Sequence, residues 1–86
     1  MPKISEFFGI VIYMYYREHF PPHIHAIYGG DEALISIETL SIVAGNLSPR
    51  VLGLVIEWAS INQEKLSQNW IRSQRHEPLE TIKPLK

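Results

Sequence analysis

The stretch His23-Ile24-His25-Ala26-Ile27-Tyr28-Gly29-Gly30-Asp31-Glu32-Ala33-Leu34-Ile35-Ser36-Ile37 decides the fold. Two runs rich in apolar and β-branched residues flank a diglycine, and both glycines accept the positive φ of a two-residue hairpin turn. Strands are therefore predicted over 23–28 and 32–37. With Gly29 and Gly30 as the loop, Ala26 faces Ala33 and Ile24 faces Ile35, which makes one apolar face with Ile37 beyond it. The other face takes His23 opposite Ser36 and His25 opposite Leu34, with Ile27, Glu32 and Glu38 nearby. The two histidines thus leave the apolar core together, their Cβ atoms about 6.6 Å apart. Read as surface-facing imidazoles, they contribute little to stability, so alanine at either position costs function and leaves the melting temperature nearly unchanged.

Outward from this hairpin, Ile10 to Tyr15 (IVIYMY) is a short apolar run of strand type, expected to be covered on both faces. Tyr16 to Pro22 is a loop, because Pro21 and Pro22 cannot extend a central ladder. Ser41 to Ala44 is predicted to add a fourth, short strand. Ser48-Pro49 marks a helix start, with Ser48 as cap, Pro49 in the first turn and Leu47 stapling onto Leu52. Apolar residues at 51, 54, 55, 58, 59, 66 and 70 keep helical spacing to about Gln74. The pattern favours one long helix with a projecting end over a break near Ile61, where Ser60 and Gln63 have capping-box spacing. From Glu77 onward two prolines and few apolar residues predict an extended tail. The expected architecture is a single α+β domain over residues 1–86: an antiparallel sheet of three to four strands packed on a C-terminal helix, with an extended C-terminal tail.

Composition sets the class. With 86 residues, 45% hydrophobic and 20% charged, the chain can bury one modest core and is not disordered. It has no cysteine, no apolar run long enough for a membrane span, and an N-terminus without signal-peptide character. A cytoplasmic protein with no membrane partner is the expectation. The net charge of −1 hides a split, since residues 1–64 carry three cations against seven acids and residues 65–86 carry five against two. Together with two tryptophans and the apolar strand, this suggests a homo-oligomer or a protein partner.

Three of the four histidines, His19, His23 and His25, fall within seven residues. Joined by Glu38 or Glu18, they have the chemistry of a divalent transition-metal site, and three protein ligands plus water leave an open catalytic position. The same three histidines are candidate catalytic acids and bases. Tyr13, Tyr15, Tyr16 and Arg17 beside them complete the residue set of a small ribonuclease. Lys65, Arg72 and Arg75, with Gln68 and His76, make a basic helix end, a candidate partner-binding or nucleic-acid-binding stripe.

The segments MPKISEFFGIVIYMYYREHFPPHIHAIYGG, ISIETL and VLGLVIEWASINQEKLSQNW resemble a widespread bacterial family of short proteins of unknown function whose hallmark is M-Y-x-x-D-H-x-P-P-H-F-H. The motif is matched at His19, Pro21, Pro22, His23 and His25. Glu18 replaces aspartate, Ile24 replaces phenylalanine, and Asn62 stands where many members carry histidine, which removes a helix imidazole that could complete a site. The resemblance implies a protein-binding component of a toxin–antitoxin-like two-gene module, partnered by a small protein from the neighbouring gene. A histidine-dependent ribonuclease or metal-dependent hydrolase on the His19/His23/His25 patch is the alternative. Nucleic-acid binding through the basic helix end is a third.

Overall fold

A computed structural model describes residues 2–86. Five strands, β1 (Lys3–Phe7), β2 (Ile10–Tyr13), β3 (His23–Tyr28), β4 (Asp31–Ser36) and β5 (Ile42–Gly45), form one antiparallel sheet in sequence order. Two helices follow, α1 (Pro49–Ile61) and α2 (Gln63–Gln74).

The α+β class and the antiparallel sheet agree with the sequence reading, and the strand count corrects it from three or four to five. β1 was not anticipated. It pairs with β2 through a two-residue turn at Phe8 and Gly9, both with positive φ (52° and 79°), so a non-glycine residue holds a position where glycine is the usual signal. The β3–β4 register matches the expectation: His23 pairs with Ser36, Ile24 with Ile35, His25 with Leu34 and Ala26 with Ala33. Alternation then separates the faces. Ile10, Ile12, Met14, Ile24, Ala26, Ala33 and Ile35 are fully buried on the core side, whereas Val11, Tyr13 and Tyr15 are only half-buried. The strand over 10–15 is therefore sealed on one face, not both.

The helical region also departs from the single long helix. Ser48 caps α1 through its side chain to the Val51 N–H, with Pro49 in the first turn. Asn62 leaves helical geometry (φ −117°, ψ 21°), and its amide donates to the Trp58 carbonyl. The break occurs without using the capping-box spacing of Ser60 and Gln63, since Ser60 Oγ donates to Glu57 O and Gln63 Nε2 donates to Ile37 O at 2.8 Å. Gln63 thereby ties the start of α2 to the end of β4. The break lets Val51, Val55 and Trp58 on α1, and Leu66 and Trp70 on α2, share one core.

The tail is extended, as expected, and it is docked. Ile82 is buried and its N–H donates to Ile4 O at 2.8 Å, while the Trp58 indole donates to Lys83 O at 2.8 Å. Buried Asn69 reads the tail backbone at Glu80 from both sides of its amide, donating to the carbonyl at 2.8 Å and accepting from the N–H at 3.0 Å. Among the described residues, no helix is long and apolar enough to cross a membrane.

Candidate metal centre

The hairpin parity that puts Ile24 and Ile35 in the core aims His23 and His25 at the other face. There they are not surface groups. His23 is 5% and His25 8% exposed, which corrects the expectation of solvent-facing imidazoles. The loop between β2 and β3 folds back over them: the Tyr15 ring meets His25 edge-on at 4.4 Å, and Trp70 of α2 packs on His23 at 5.3 Å.

The loop also delivers Glu18. Its Oε1 lies 3.2 Å from His23 Nε2 and against His25 Nε2, so one carboxylate oxygen sits between two ring nitrogens. The opposite nitrogens are engaged elsewhere. His23 Nδ1 is 2.7 Å from the Pro21 carbonyl, and His25 Nδ1 is 2.9 Å from Glu32 Oε2. A carbonyl only accepts and an ionised carboxylate only accepts, so both Nδ1 atoms carry the proton and donate. In a neutral imidazole that leaves Nε2 bare.

Three potential ligand atoms, one from each of Glu18, His23 and His25, thus converge within 4.8 Å of one another. Burial pushes the Glu18 carboxyl up, but the hydrogen bond with His25 and the positive charges of His25 and His23 outweigh it, holding the group below the ordinary carboxylate value. Glu18 is thus anionic at neutral pH. Such a cluster is stable only with a cation between its members: either protons on both imidazoles, or one metal ion. The 3.2 Å separation of His23 Nε2 from Glu18 Oε1 is a hydrogen-bond distance, so an ion would enter by taking the place of the protons between these atoms.

The supporting shell is equally specific. Glu32 behind His25 is the carboxylate–histidine arrangement that fixes a ligand's tautomer and raises its basicity, and the Pro21 carbonyl does the same for His23. Gly45 underlies this support: it has φ +77°, and a Cβ there would stand 2.2 Å from the Glu32 carbonyl oxygen. Glycine alone lets β5 close against the residue that holds His25.

Among the candidates read from the sequence, the structure brings together His23, His25 and Glu18. His19 lies exposed in the loop outside the group, and Glu38 lies exposed in the turn after β4, its carbonyl facing Gln63. Tyr15 belongs to the wall of the site. Its hydroxyl is held protonated beyond the ordinary range by burial and by the nearby charges of Glu32, Tyr13 and Glu18. Lys65 lines a cavity of about 640 Å³ with Trp58, Asn62, Pro84 and Leu85. Asn62 thus faces the helix junction and tail, and its identity leaves the histidine cluster intact. Trp70 and the Pro21 carbonyl were not anticipated as site groups.

A family model described as a domain of unknown function, DUF4160, matches residues 9–71. The chain belongs to that family. The matched span runs from the β1–β2 turn into α2, and so contains Glu18, His23, His25, Glu32 and Trp70. No curated protein and no solved structure matches the chain.

Proposed function

We propose that Glu18, His23 and His25 form a divalent transition-metal centre and that the protein is a metal-dependent hydrolase. The observation that carries this reading is the orientation of the imidazoles: with Nδ1 of His23 and His25 on the Pro21 carbonyl and Glu32, both Nε2 atoms face one oxygen of the Glu18 carboxylate. Two imidazoles and a carboxylate suit zinc, iron or nickel, and three protein ligands leave a coordination position for water. Held by these three residues, an ion would supply a lowered pKa to its water and polarisation to a bound ester or phosphoryl oxygen. Within the chain itself, Glu32 and Pro21 orient the ligands, and the protonated Tyr15 beside His25 supplies a hydroxyl donor at the rim. The test is elemental analysis of protein purified without chelator, followed by titration of the stripped protein with zinc. One ion per chain, lost in Glu18→Gln, is the expected result; a metal-free protein indifferent to zinc rejects the centre.

A second reading is a protein-binding component of a toxin–antitoxin-like pair in the cytoplasm. It is supported by the resemblance of the sequence and by β5, whose outer edge carries no partner strand among the described residues and exposes Ile42 and Val43. Such an edge can accept a strand from a neighbouring gene's product or from a second copy. Co-expression with the adjacent reading frame tests it, and Val43→Lys is expected to abolish co-purification.

A further inference from the structure

The loop that carries Glu18 is fastened to the C-terminal end of α2. The Arg17 N–H donates to Ser73 O at 3.4 Å, and Gln74 Nε2 donates to Glu18 O at 3.3 Å. The Tyr16 ring stacks on His76 (5.2 Å between centroids, 16° between planes), and Phe20 lies 6.1 Å from Trp70. These links gather Arg17, His19 and Phe20 from the loop, and Arg75 and His76 from the helix end, around Glu18. All five are exposed. Neither arginine takes part in an ion pair among the described residues, whose pairs are Lys3–Glu6 and the histidine–glutamate contacts of the site.

Two features of this rim point to a ligand. Arg17 and Arg75 are uncompensated cations beside a site whose own carboxylates are absorbed by the histidines, which suits an anion that reaches the site from outside. Phe20 is 78% exposed, the most exposed of the large apolar residues among the described residues, although the Trp70 ring lies beside it. An aromatic ring held out over a second ring, next to a stacked tyrosine–histidine pair, is a platform for planar groups. Anionic links spaced between planar bases describe a nucleic-acid strand. A strand with unpaired bases is required, because duplex bases have no free faces to stack.

We propose that this rim binds single-stranded nucleic acid, with Arg17 and Arg75 on backbone phosphates and Phe20 and the Tyr16–His76 pair against bases, so that a phosphodiester lies over Glu18. The inference rests on the hydrolase reading only for what is done to the strand, and binding is testable without it. Lys65 and Arg72 are outside the rim. Lys65 and Asn69 line a cavity with tail residues Glu80 to Ile82, and Arg72 follows three residues after Asn69 and seven after Lys65 on that same side of α2.

The experiment is fluorescence anisotropy of labelled 12-residue oligo-U, oligo-dT and a DNA duplex against the full-length chain, at several salt concentrations. Binding of a single strand with a log–log salt slope of about −1.4, two phosphate contacts at roughly 0.7 each, supports the proposal. So does a loss of about tenfold in each of Arg17→Gln, Arg75→Gln and Phe20→Ala. The RNA and DNA arms show whether the 2′-hydroxyl contributes. Absence of single-strand binding, equal binding of the duplex, or equal losses in Lys65→Gln and Arg72→Gln each overturn it, the last by showing diffuse charge attraction. Metal analysis and zinc titration of the same samples separate the two readings: a protein that is metal-free and indifferent to zinc but binds the strand sinks the metal centre alone, and a metal-loaded protein that ignores the strand sinks this inference alone.

Discussion

Two neighbouring rows across the sheet run Ile12, Ala26, Ala33 and Tyr13, His25, Leu34. The first row is fully buried under the helices, and the second lies on the opposite face, with Tyr13 and Leu34 half-buried and His25 covered by a loop. One residue of register separates them. The sealed face draws its stability from apolar contact with α1 and α2, whereas the histidine face is covered by Glu18, Tyr15 and Trp70, and all four imidazole nitrogens of His23 and His25 have a polar partner. The comparison shows how a domain this small houses a buried polar site: parity keeps the imidazoles out of the core, and a separate loop supplies both the cover and the balancing carboxylate.

The largest expected effect tests the sealed face. Ile24→Ala removes a fully buried side chain from the centre of the core, and should cost about 2–5 kcal/mol in urea denaturation. That is a large share of the stability of a domain this size. The contrasting variant is His25→Ala, directly adjacent on β3. It removes a buried ring with partners on both nitrogens, so about 1–3 kcal/mol should be lost in the metal-free protein. A zinc-dependent rise in melting temperature, present in the wild type, should vanish in it. An unchanged melting temperature in His25→Ala would restore the surface-facing reading, and a loss equal to that of Ile24→Ala would erase the distinction between the faces.

The extent to which this arrangement is legible in sequence follows the range of each signal. The β3–β4 register is written locally, in a diglycine and two alternating runs, and parity carries the two histidines with it. β1 is hidden because its turn has phenylalanine at a positive-φ position and its strand, KISEF, alternates weakly. The helix break is hidden for a different reason: Leu66 and Trp70 keep the apolar phase of Val55 and Trp58 across Asn62, so periodicity runs through a point where the backbone does not. In the site, Glu32 is readable from the hairpin alone, because the residue two beyond the partner of His25 shares its face. The choice of Glu18 over Glu38 is not readable, since it depends on a loop path fixed by contacts with Ser73 and Gln74 more than fifty residues away. Trp70 is hidden likewise, its helical spacing marking it only as core-facing.

A finer test divides the site into ligands and their support. Glu32→Gln keeps the shape behind His25 but removes the anionic acceptor of its Nδ1 proton. Metal affinity should fall about 10–100-fold, while stability changes by under about 1 kcal/mol because Glu32 is itself exposed. Competition against a chromogenic zinc chelator measures this directly. An affinity equal to the wild type would mean that Glu32 does not orient the ring, leaving that role to Glu18, Tyr15 and the strand backbone.

The smallest effect is electrostatic and concerns Glu18 in the metal-free protein. Its carboxyl is held below the ordinary value of 4.5: burial raises it, and the hydrogen bond and charges of the two histidines more than offset that. A group depressed in the folded state contributes stability that is fully present above its unfolded pKa and is lost as pH falls through the folded one. The window therefore opens near pH 4.5 and extends downward. With Glu18 partly exposed, the contribution should stay below about 1 kcal/mol. Urea midpoints recorded from pH 6 to pH 3 in the presence of chelator should fall more steeply for the wild type than for Glu18→Gln, which has no proton to gain. Parallel profiles would show that the carboxylate is not held by the imidazoles without an ion, and would shift the entire reason for its placement onto the metal.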